Sequence, residues 1–584
     1  MSYDLGNAPD VVTLFRQRAA ERPQQDVVGF LADPDDVRHG MTMWTYEQLD
    51  REARGCAEWL QRRLPVGSRV LLLYPNGLEF VAAFVGCLYA GMIAVPAPLP
   101  GRHQHHRFRV ATIMANADVS AVLTTSAKLG EVREWSQAFG AEHAIVAASD
   151  EPGLGDPDHW RPVRLDRSTV ALLQYTSGST GDPKGVIIDH DNILYNLDIA
   201  ARELGFSNPS RACGWVPLYH DLALQAVLLY ALLHGGSALL MEPMTFLRRP
   251  VRWLQVIDEH NVEFTFAPNF AYELCLDRVT DEELRALDLS RLRMAGNASE
   301  PVNPAVLAAF ADRFAPAGFR VEAFAPVYGM AEATGYVSGI PARTPQVKVV
   351  DPEALAAGSF SDPQPGQPVR EIVSCGRPTR ACEVRVVDPD TRQARADGQL
   401  GEIWLRGRSI SRGYWASDSG AAAFGNSTAD GEDGFLRTGD LGVLDDGELY
   451  VHGRLKDTLI VRGRNIYPQD VEQELRVQHP DLGRIGAVFA SDAGDADALG
   501  VVVAFEVTRA AHDRLPALAA EVRHTVGREF GVQVAAVLLL RPGTVQRTTS
   551  GKVQRSAMRT LFGEGRIAAL YQDPPAPALV AGLR

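Results

Sequence analysis

The feature that most constrains the fold of this chain is an alternation of short apolar runs with amphipathic stretches through about its first three quarters. Such alternation is typical of proteins in which strands of a parallel sheet take turns with helices. In one unit, residues Val70 to Tyr74 read as a buried strand, and Val81, Val85 and Leu88 then share one helical face. The pattern predicts an α/β fold.

The ends of this unit also carry signals. Asn76 stands three residues before Glu79, a spacing that predicts a helix cap. Gly91 follows the last residue of the apolar helical face, where glycine commonly ends a helix. The next strand is predicted to begin at Ile93–Pro96.

The chain is too long for one hydrophobic core, because at 584 residues it exceeds the roughly 250–300 residues at which chains divide into domains. A charged segment near residue 453 leads into a new alternation of strands and helices. We therefore expect a large N-terminal domain over 1–455, a small α+β C-terminal domain over 456–571, and a flexible tail over 572–584.

Charge excludes some partners. The chain has 58 Lys and Arg residues against 72 Asp and Glu residues, a formal net charge of −14, and contains no long basic run. Nucleic acid and an anionic membrane surface are therefore not expected as the main partners. The longest lipid-like run, Ala226 to Leu233, is much shorter than the about 20 residues of a transmembrane helix, so membrane insertion is not expected.

The cysteines and the N-terminus indicate a cytoplasmic protein. The first residues, MSYDLGNAPD, lack the basic start and apolar core of a signal peptide. Six cysteines are scattered without a CxxC pair or a histidine cluster at metal-ligand spacing, which favours reduced structural thiols: Cys56, Cys87, Cys213, Cys275, Cys375 and Cys382.

The sharpest local motif is TSGSTGDPKG, from Thr176 to Gly185. Its glycines, hydroxyl residues and lysine are suited to a loop that turns backbone N–H groups toward phosphate oxygens. It is not a Walker A loop, because Pro183 precedes Lys184 and a strand-like run follows instead of a helix. Taken alone, the same residues could form a solvated surface turn.

Six further motifs follow in order and favour a phosphate-binding loop over a surface turn. Together with the glycine-rich loop they resemble the signature set of the adenylate-forming superfamily, which includes acyl-CoA synthetases, luciferases and peptide-synthetase adenylation domains. The six are WVPLYHD (215–221), GNASEP (296–301), VYGMAEAT (327–334), LRTGDLG (436–442), GRLKD (453–457) and TSGKVQ (549–554). The resemblance implies an adenylating domain of several sheets with packed helices, followed by a small mobile domain.

The chemistry of adenylation explains these residue types. A carboxylate is already ionised at neutral pH, so its attack on the α-phosphate of ATP requires no general base. Catalysis instead requires that two anions be held together while pyrophosphate leaves, which calls for Mg²⁺, lysine and backbone donors.

The resemblance assigns roles to individual residues. Glu332 would bind the Mg²⁺ that bridges phosphate oxygens, since a hard cation prefers a carboxylate. Asp440 would accept hydrogen bonds from the ribose, and Tyr328 would stack or pack near the adenine. The residues expected around the phosphates are Thr176, Ser177, Gly178, Ser179, Thr180, Gly181 and Lys184, and those expected around the rest of the nucleotide are Asn297, Ala298, Ser299, Glu300, Gly329, Met330, Ala331 and Arg454.

Three more residues receive roles in the same way. Lys552 would reach from the small domain to the attacking carboxylate and the α-phosphate, and Lys456 would be the hinge about which that domain rotates. His220 would line the acyl tunnel near the carboxylate. Each has an alternative: Lys552 and Asp440 could be solvated surface groups, Tyr328 could be core, and His220 could be structural.

Within the superfamily, the chain is similar to the fatty acyl-AMP ligases. The wording around LYHDLALQAVLLYALLHGG and LDLSRLRMAGNASEPVNP resembles theirs, and 341–369 occupies the place of an insertion that acyl-CoA synthetases lack. The insertion is held to restrain domain closure or CoA use, although an insertion in a surface loop is the alternative. The chain departs from the ligases at Leu222–Leu224 and at Gly335–Tyr336, where the acyl chain should run.

These resemblances imply an enzyme that converts ATP and a fatty acid into acyl-adenylate, with Mg²⁺, and passes the acyl group to an acyl carrier protein or a polyketide- or peptide-synthetase carrier domain in trans. Two alternatives stay open: a fatty acyl-CoA synthetase, and a catalytically silent nucleotide- or lipid-binding module. The acyl chain itself is undetermined, since the apolar residues from Asn261 to Cys275 could line its pocket or be ordinary core.

Overall fold

The computed structural model describes residues 5–101, 104–140, 143–177, 183–206, 210–340, 343–417, 420–461, 464–491, 500–548 and 552–574. The predicted phosphate-loop residues Gly178, Ser179, Thr180 and Gly181 lie outside these ranges.

The strands in the described ranges are numbered in chain order. They are β1 (Asp26–Leu31), β2 (Met41–Thr45), β3 (Arg69–Leu73), β4 (Ile93–Ala97), β5 (Ala121–Thr124), β6 (Ile145–Ala148), β7 (Val170–Ser177), β8 (Pro183–Asp189), β9 (Arg211–Gly214), β10 (Ser237–Leu240), β11 (Phe264–Ala267), β12 (Met294–Asn297), β13 (Phe324–Met330), β14 (Gly335–Gly339), β15 (Val347–Val350), β16 (Arg370–Val373), β17 (Arg377–Pro378), β18 (Cys382–Val387), β19 (Gly401–Gly407), β20 (Leu436–Asp445), β21 (Glu448–Arg454), β22 (Leu459–Val461), β23 (Arg464–Ile466), β24 (Leu482–Ser491), β25 (Gly500–Val507), β26 (Val534–Leu540) and β27 (Ala569–Asp573).

The α-helices are numbered in the same way. They are α1 (Val11–Glu21), α2 (Tyr46–Gln61), α3 (Leu78–Tyr89), α4 (Gln104–Ala117), α5 (Leu129–Ala138), α6 (His190–Leu204), α7 (Tyr230–His234), α8 (Pro243–Arg248), α9 (Val251–Glu259), α10 (Asn269–Arg278), α11 (Asp281–Arg285), α12 (Pro304–Phe314), α13 (Pro352–Ala356), α14 (Gly420–Ala423), α15 (Pro468–Gln478), α16 (Leu515–Phe530) and α17 (Arg555–Gly563). A π-helix, Leu222–Leu229, leads directly into α7.

Two mainly parallel sheets form the large part of the chain, as the alternating pattern predicts. One has the strand order β6-β5-β3-β4-β7-β8, and the other has the order β17-β14-β13-β12-β11-β9-β10-β1-β2. Helices such as α2, α3 and α6 contribute apolar faces to one large hydrophobic core shared with these sheets. In open sheets of this kind, ligands bind beyond the carboxyl ends of the strands.

The two strands and the connecting helix predicted between Val70 and Pro96 are confirmed. Strands β3 and β4 pair in parallel with Arg69 opposite Ile93, and α3 connects them. Gly91 follows the end of α3 at φ 68°, the left-handed conformation that glycine adopts at low cost. The periodicity therefore located both strands and the helix between them.

The helix cap predicted at Asn76 is wrong. Helix α3 begins after Gly77 and has no side-chain cap. The buried Asn76 amide instead donates to the carbonyls of Val216 and Met241, each at 3.1 Å, and accepts from the N–H of Leu218 at 2.9 Å. Asn76 thus connects the first parallel sheet to the ends of strands in the second.

The predicted insertion, 341–369, contains more regular structure than its loop-like composition indicates. Its described part includes β15 and α13, and β15 pairs antiparallel with β16 immediately after the insertion. The ring of Phe360 packs against Tyr450 of an adjacent four-stranded sheet in the order β18-β19-β20-β21. The proline and glycine content of the segment indicated a loop, but the short strand β15 needs only four residues.

The C-terminal part has its own sheet, in the order β24-β25-β26-β27, covered by α15, α16 and α17. Its apolar side chains form two clusters of their own on either side of that sheet. Strand β27 continues to Asp573, which forms an ion pair with Arg523, so regular structure extends two residues beyond the predicted end at Tyr571.

Two general expectations concern thiols and membranes. All six cysteines are buried free thiols, and burial raises the pKa of Cys56 to about 12. Among the described residues, every helix is too short or too polar to serve as a transmembrane span.

Candidate active site

The predicted nucleotide-binding motifs meet at the carboxyl ends of neighbouring strands. Asn297 is the last residue of β12, and it pairs in parallel with Pro326 of β13. Its side chain is fully buried and donates to Asn269 at 3.2 Å. Ala298 and Ser299 follow directly, and Ser299 holds φ at 76°. The predicted adenosine-side residues therefore occupy the edge at which ligands bind in such sheets.

The strands flanking the glycine-rich loop are as expected. Thr176 and Ser177 end β7, Lys184 lies in β8, and Thr176 pairs with Lys184 across the antiparallel ladder. A strand rather than a helix therefore follows the loop. The Lys184 ammonium lies 5.0 Å from the centre of the Tyr414 ring, a cation–π contact.

Glu332 is buried, with 7% of its surface exposed, and its Oε1 accepts a hydrogen bond from the Tyr414 hydroxyl at 2.9 Å. Burial raises the pKa of Glu332, and the nearby negative charge of Asp221 raises it further, while the Tyr414 bond lowers it. Sequence reasoning missed Tyr414, which contacts both Lys184 and Glu332. No motif marks it, because it lies about eighty residues from Glu332.

Asp440 is held by two groups. Its Oδ2 accepts from the Tyr328 hydroxyl at 2.9 Å, and its Oδ1 accepts from Arg454 Nε at 2.9 Å. The Tyr328 ring packs into an apolar cluster with Val337 and Leu405, so the core alternative describes its ring while its hydroxyl positions Asp440. The pairing of β20 with β21 places Asp440 opposite Arg454.

Two adjacent side chains, His220 and Asp221, lie in contact directly before the π-helix. His220 Nδ1 lies 2.7 Å from Asp221 Oδ1, and Asp221 accepts from the N–H of Leu222 at 2.8 Å. Burial raises the pKa of Asp221, but the positive charges of His220 and Lys552 outweigh burial and hold this pKa at about 2. Asp221 is therefore ionised throughout the neutral range.

Lys552 reaches this region from the C-terminal part of the chain. Burial lowers the pKa of Lys552, and the charge of Arg454 lowers it further, while Asp221, Glu300 and Asp440 raise it. The lysine therefore lies close enough to carboxylates of the large part for their charges to act on one another. Its backbone is fixed by two hydrogen bonds with Thr548, one accepted by the Lys552 carbonyl and one donated by its N–H.

Glu300 accepts a hydrogen bond from the N–H of Phe270 at 2.7 Å. Burial raises the pKa of Glu300 to about 7, and Glu273 adds to the rise, whereas Lys552 and Arg476 oppose it. Glu300 therefore holds its proton to a much higher pH than an exposed glutamate. The motif GNASEP gives no sign of this, because the shift depends on residues distant in sequence.

A cavity of about 620 Å³, including its part open to solvent, adjoins these groups. Its lining includes Asp221, Ala298, Ser299 and Gly329 at one end and Phe206 and Tyr230 among its apolar and aromatic residues. His220 is not among the lining residues, but it contacts Asp221, which is one of them. Of the stretch Asn261–Cys275, Phe266 alone lines this cavity, while Cys275 is core.

Gly329 is required by close packing at this cavity. A Cβ atom on Gly329 would lie 1.6 Å from the carbonyl oxygen of Gly335. The two strands that carry these glycines, β13 and β14, pair across this point. Met330 and Ala331 follow Gly329 and lead to Glu332.

The predicted hinge, Lys456, lies in a 3₁₀ turn, Leu455–Asp457, directly after β21. Asp457 of that turn contacts Arg555, at the start of α17, at 3.4 Å, and Arg555 also pairs with Glu472 of α15 at 2.7 Å. The turn is therefore connected to the segment that carries Lys552.

Comparisons with known proteins agree with this geometry. The AMP-binding enzyme family matches residues 15–415. The medium-chain fatty acid–acyl-carrier-protein ligase JamA of Moorena producens is 37% identical, with 95% of each chain covered. This chain belongs to the AMP-binding enzymes, as a fatty acyl-AMP ligase.

Solved structures place the ligase among enzymes of the same architecture. A structure from a study of fatty acyl-adenylate ligases of E. coli and L. pneumophila matches with a TM-score of 0.86 at 29% identity, over 96% of this chain and 98% of that one. The L. pneumophila fatty acyl-adenylate ligase in complex with acyl adenylate and pyrophosphate matches with a TM-score of 0.75 at 31% identity, over 97% and 98%. The ligase thus has the predicted adenylate-forming α/β fold.

Proposed function

We propose that this ligase joins a fatty acid to AMP in a site shared by its two parts, releases pyrophosphate, and then transfers the acyl group to the phosphopantetheine thiol of a carrier protein. The observation that carries the proposal is the position of Lys552, which comes from the C-terminal part and interacts electrostatically with Asp221, Glu300 and Asp440 of the large part. This is the arrangement that the first half-reaction requires.

The proposed division of labour follows the contacts. Asp440, oriented by Tyr328 and Arg454, binds the ribose hydroxyls, since an ionised carboxylate accepts such hydrogen bonds. Lys184 and the strand ends at Thr176 and Ser177 bind the phosphates. Lys552 neutralises charge between the fatty acid carboxylate and the α-phosphate, so that the two anions approach and pyrophosphate departs.

Glu332 is the proposed Mg²⁺ ligand, and its environment fits a hard cation. Its carboxylate is buried beside the like charge of Asp221, and no cationic side chain in the described ranges forms an ion pair with it. No group of three or more potential ligands clusters in the same ranges, so the remaining coordination would come from phosphate oxygens and water. When bound, the ion would neutralise phosphate charge.

Contacts of the insertion support a carrier protein rather than CoA as the acceptor. Arg370, in β16 directly after the insertion, forms an ion pair with Asp470 of α15 at 2.5 Å. An apolar cluster joins Val350 and Leu355 of the insertion to Leu441 of the large part and Tyr467 before α15. The insertion thus contacts both parts and would limit how far the C-terminal part can rotate about Lys456.

Pyrophosphate exchange tests the first half-reaction. Purified enzyme with ATP, Mg²⁺ and labelled pyrophosphate should form labelled ATP only when a fatty acid is present. Absence of exchange with fatty acids of every length would contradict the proposal and favour the silent binding module.

Product analysis tests the acceptor. With the acyl-adenylate formed in place, CoA and a phosphopantetheinylated carrier protein are supplied separately, and acyl transfer to the carrier protein should exceed transfer to CoA. Efficient acyl-CoA formation would overturn the acceptor assignment, in favour of a fatty acyl-CoA synthetase, and leave adenylation intact.

A further inference from the structure

The cavity next to Asp221 contains polar side chains that have no partner in the protein. Gln225 is 97% buried, with 3% of its surface exposed, and neither its Nε2 nor its Oε1 has a hydrogen-bond partner among the described residues. The buried Tyr230 hydroxyl also has none in the same ranges. Both residues line the cavity. Buried amides and hydroxyls are normally hydrogen-bonded, so a pair of this kind indicates a function.

Two other polar residues of the cavity wall, Asn196 and Tyr336, already have partners. The Asn196 amide donates to the carbonyl of Tyr336 at 2.8 Å and accepts from its N–H at 3.1 Å. The Tyr336 hydroxyl donates to Glu203 at 3.3 Å. Among these four side chains of the wall, Gln225 and Tyr230 therefore keep their hydrogen-bonding capacity for a ligand.

The π-helix explains why these two side chains face the same space. The N–H of Tyr230 donates to the carbonyl of Gln225, five residues earlier, which is the bond that defines a π-turn. In an α-helix of 3.6 residues per turn, residues five apart point about 140° away from each other. The wider turn instead places Gln225 and Tyr230 above one another on one face, and π-turns frequently occur at functional sites.

The neighbouring strand leaves room beside Gln225. A Cβ atom on Gly335 would lie 3.8 Å from the Gln225 Cβ and 4.0 Å from its Cγ. Gly335 adopts φ 108°, a conformation that other residues avoid. This is one of the two positions at which the sequence departs from the pattern of the fatty acyl-AMP ligases.

Resting on the proposed adenylation, we propose that the acid activated by this ligase carries an oxygen function, a hydroxyl or a keto group, within its alkyl chain, and that Gln225 and Tyr230 bind this group. An amide can both donate to and accept from a hydroxyl, and a phenol can do the same. An unsubstituted alkyl chain would press against both groups and leave them unpaired, which disfavours its binding.

A substrate series tests the proposal without any variant. Decanoic acid is compared with its hydroxy and keto derivatives, one position at a time, by fatty-acid-dependent pyrophosphate exchange. At least one positional isomer should exceed decanoic acid in kcat/KM by about tenfold or more. If decanoic acid is adenylated as well as every derivative, the proposal is overturned while the proposed function stands. If no acid supports exchange, the proposed function fails, and this inference with it.

Two variants then assign the preference to the amide. Gln225→Leu should lower kcat/KM at least about tenfold for the preferred isomer and leave that for decanoic acid unchanged or higher. Tyr336→Phe is the matched control, because it removes a hydroxyl from the same cavity that already has a partner, and it should preserve the ratio. Equal loss for both acids in Gln225→Leu would show that the amide is structural and overturn the assignment.

The stability of the substrate-free protein provides a second measurement. Gln225→Leu removes an unpaired amide from an apolar wall, so its Tm without acid should equal or exceed that of the native chain. A lower Tm, together with a preference that does not change in Gln225→Met, would overturn the role of Gln225.

Discussion

Glu300 is half-buried in the large part of the chain, within electrostatic range of Lys552 from the C-terminal part. The residues around it illustrate what local sequence can and cannot indicate. Glu332, Asp440 and Lys552 could be selected from short motifs, because each motif fixes residue type and order. The pKa of Glu300 and the contact of Tyr414 with Glu332 could not, because both depend on side chains that only the fold brings together.

The raised pKa of Glu300 makes stability depend on pH. Its pKa is about 7 in the folded protein against 4.5 for an unperturbed glutamate, so the folded state holds the proton more tightly. Ionisation then destabilises the fold progressively as pH rises from about 4.5 to about 7. Glu300→Gln removes this loss, so its Tm relative to the native chain should be higher at pH 8 than at pH 5, by the equivalent of about 1–3 kcal/mol.

Thermal unfolding at the two pH values measures this difference. Glu322→Gln, which removes an exposed carboxylate from the same part of the chain, controls for the change in net charge. An identical Tm difference between Glu300→Gln and the native chain at pH 5 and pH 8 would rule out a perturbed Glu300.

The Tyr328 hydroxyl provides a prediction about ATP binding. Tyr328→Phe removes one of the two hydrogen bonds that orient Asp440 and should cost about 1 kcal/mol of stability. Because Asp440 keeps its bond to Arg454, KM for ATP should rise only about threefold to tenfold, with little change in kcat.

Steady-state kinetics of pyrophosphate exchange check this expectation against a matched variant. Tyr46→Phe removes a buried hydroxyl that donates to the Leu232 carbonyl at 2.9 Å, far from the nucleotide residues. It should lower Tm without raising KM for ATP. The same KM in Tyr328→Phe and Tyr46→Phe would show that Tyr328 does not position Asp440.

At the scale of elements, hydrophobic periodicity located β3, α3 and β4 and placed Gly91 at the end of the helix, because those features depend on neighbours in sequence. Asn76 was misassigned for the opposite reason. Its partners Val216 and Met241 lie 140 and 165 residues away. Nothing near Asn76 in sequence distinguishes a helix cap from a side chain that joins two sheets. Hydrophobic periodicity also could not predict the π-helix, because a short apolar run is equally consistent with an α-helix.

Asn76 should therefore matter more than an ordinary helix cap. Asn76→Ala leaves the buried N–H of Leu218 and two carbonyls without their partner and should cost about 2–4 kcal/mol. Asn303→Ala, which removes the cap of α12, should cost about 1 kcal/mol. Denaturant unfolding measures the free energy of unfolding that each variant loses. Equal losses would contradict the role of Asn76 in joining the two sheets.

At the scale of the whole molecule, the parts meet through ion pairs as well as through Lys552. Arg484 of β24 pairs with Asp277 of α10, and Arg370 pairs with Asp470 of α15. The sequence predicted an insertion near Arg370 from its resemblance to the fatty acyl-AMP ligases. It did not predict the ion pair, because the two residues lie 100 positions apart. A single Arg or Asp in a sequence is usually an exposed surface charge.

The ion pair between Arg370, directly after the insertion, and Asp470 of α15 should influence the choice of acceptor. Arg370→Ala removes the ion pair and should raise the ratio of acyl-CoA to acyl-carrier product at least about tenfold, because the C-terminal part gains freedom to rotate. Lys348→Ala is the matched control, since it removes an ion pair between the insertion and Asp445 of the large part, at 2.7 Å. The ratio of acyl-CoA to acyl-carrier product is measured with both acceptors present. An unchanged ratio in Arg370→Ala would contradict the proposed limit on rotation of the C-terminal part.

The central claim is that two parts of one chain form a single adenylation site, and fatty-acid-dependent pyrophosphate exchange by Lys552→Ala tests it most directly. Loss of the positive charge between the fatty acid carboxylate and the α-phosphate should lower the exchange rate at least about 100-fold. ATP binding should stay within about threefold of native, because the other nucleotide-binding groups are intact, and Lys128→Ala, which removes an exposed lysine, should change neither value. Exchange by Lys552→Ala at the native rate would contradict the account.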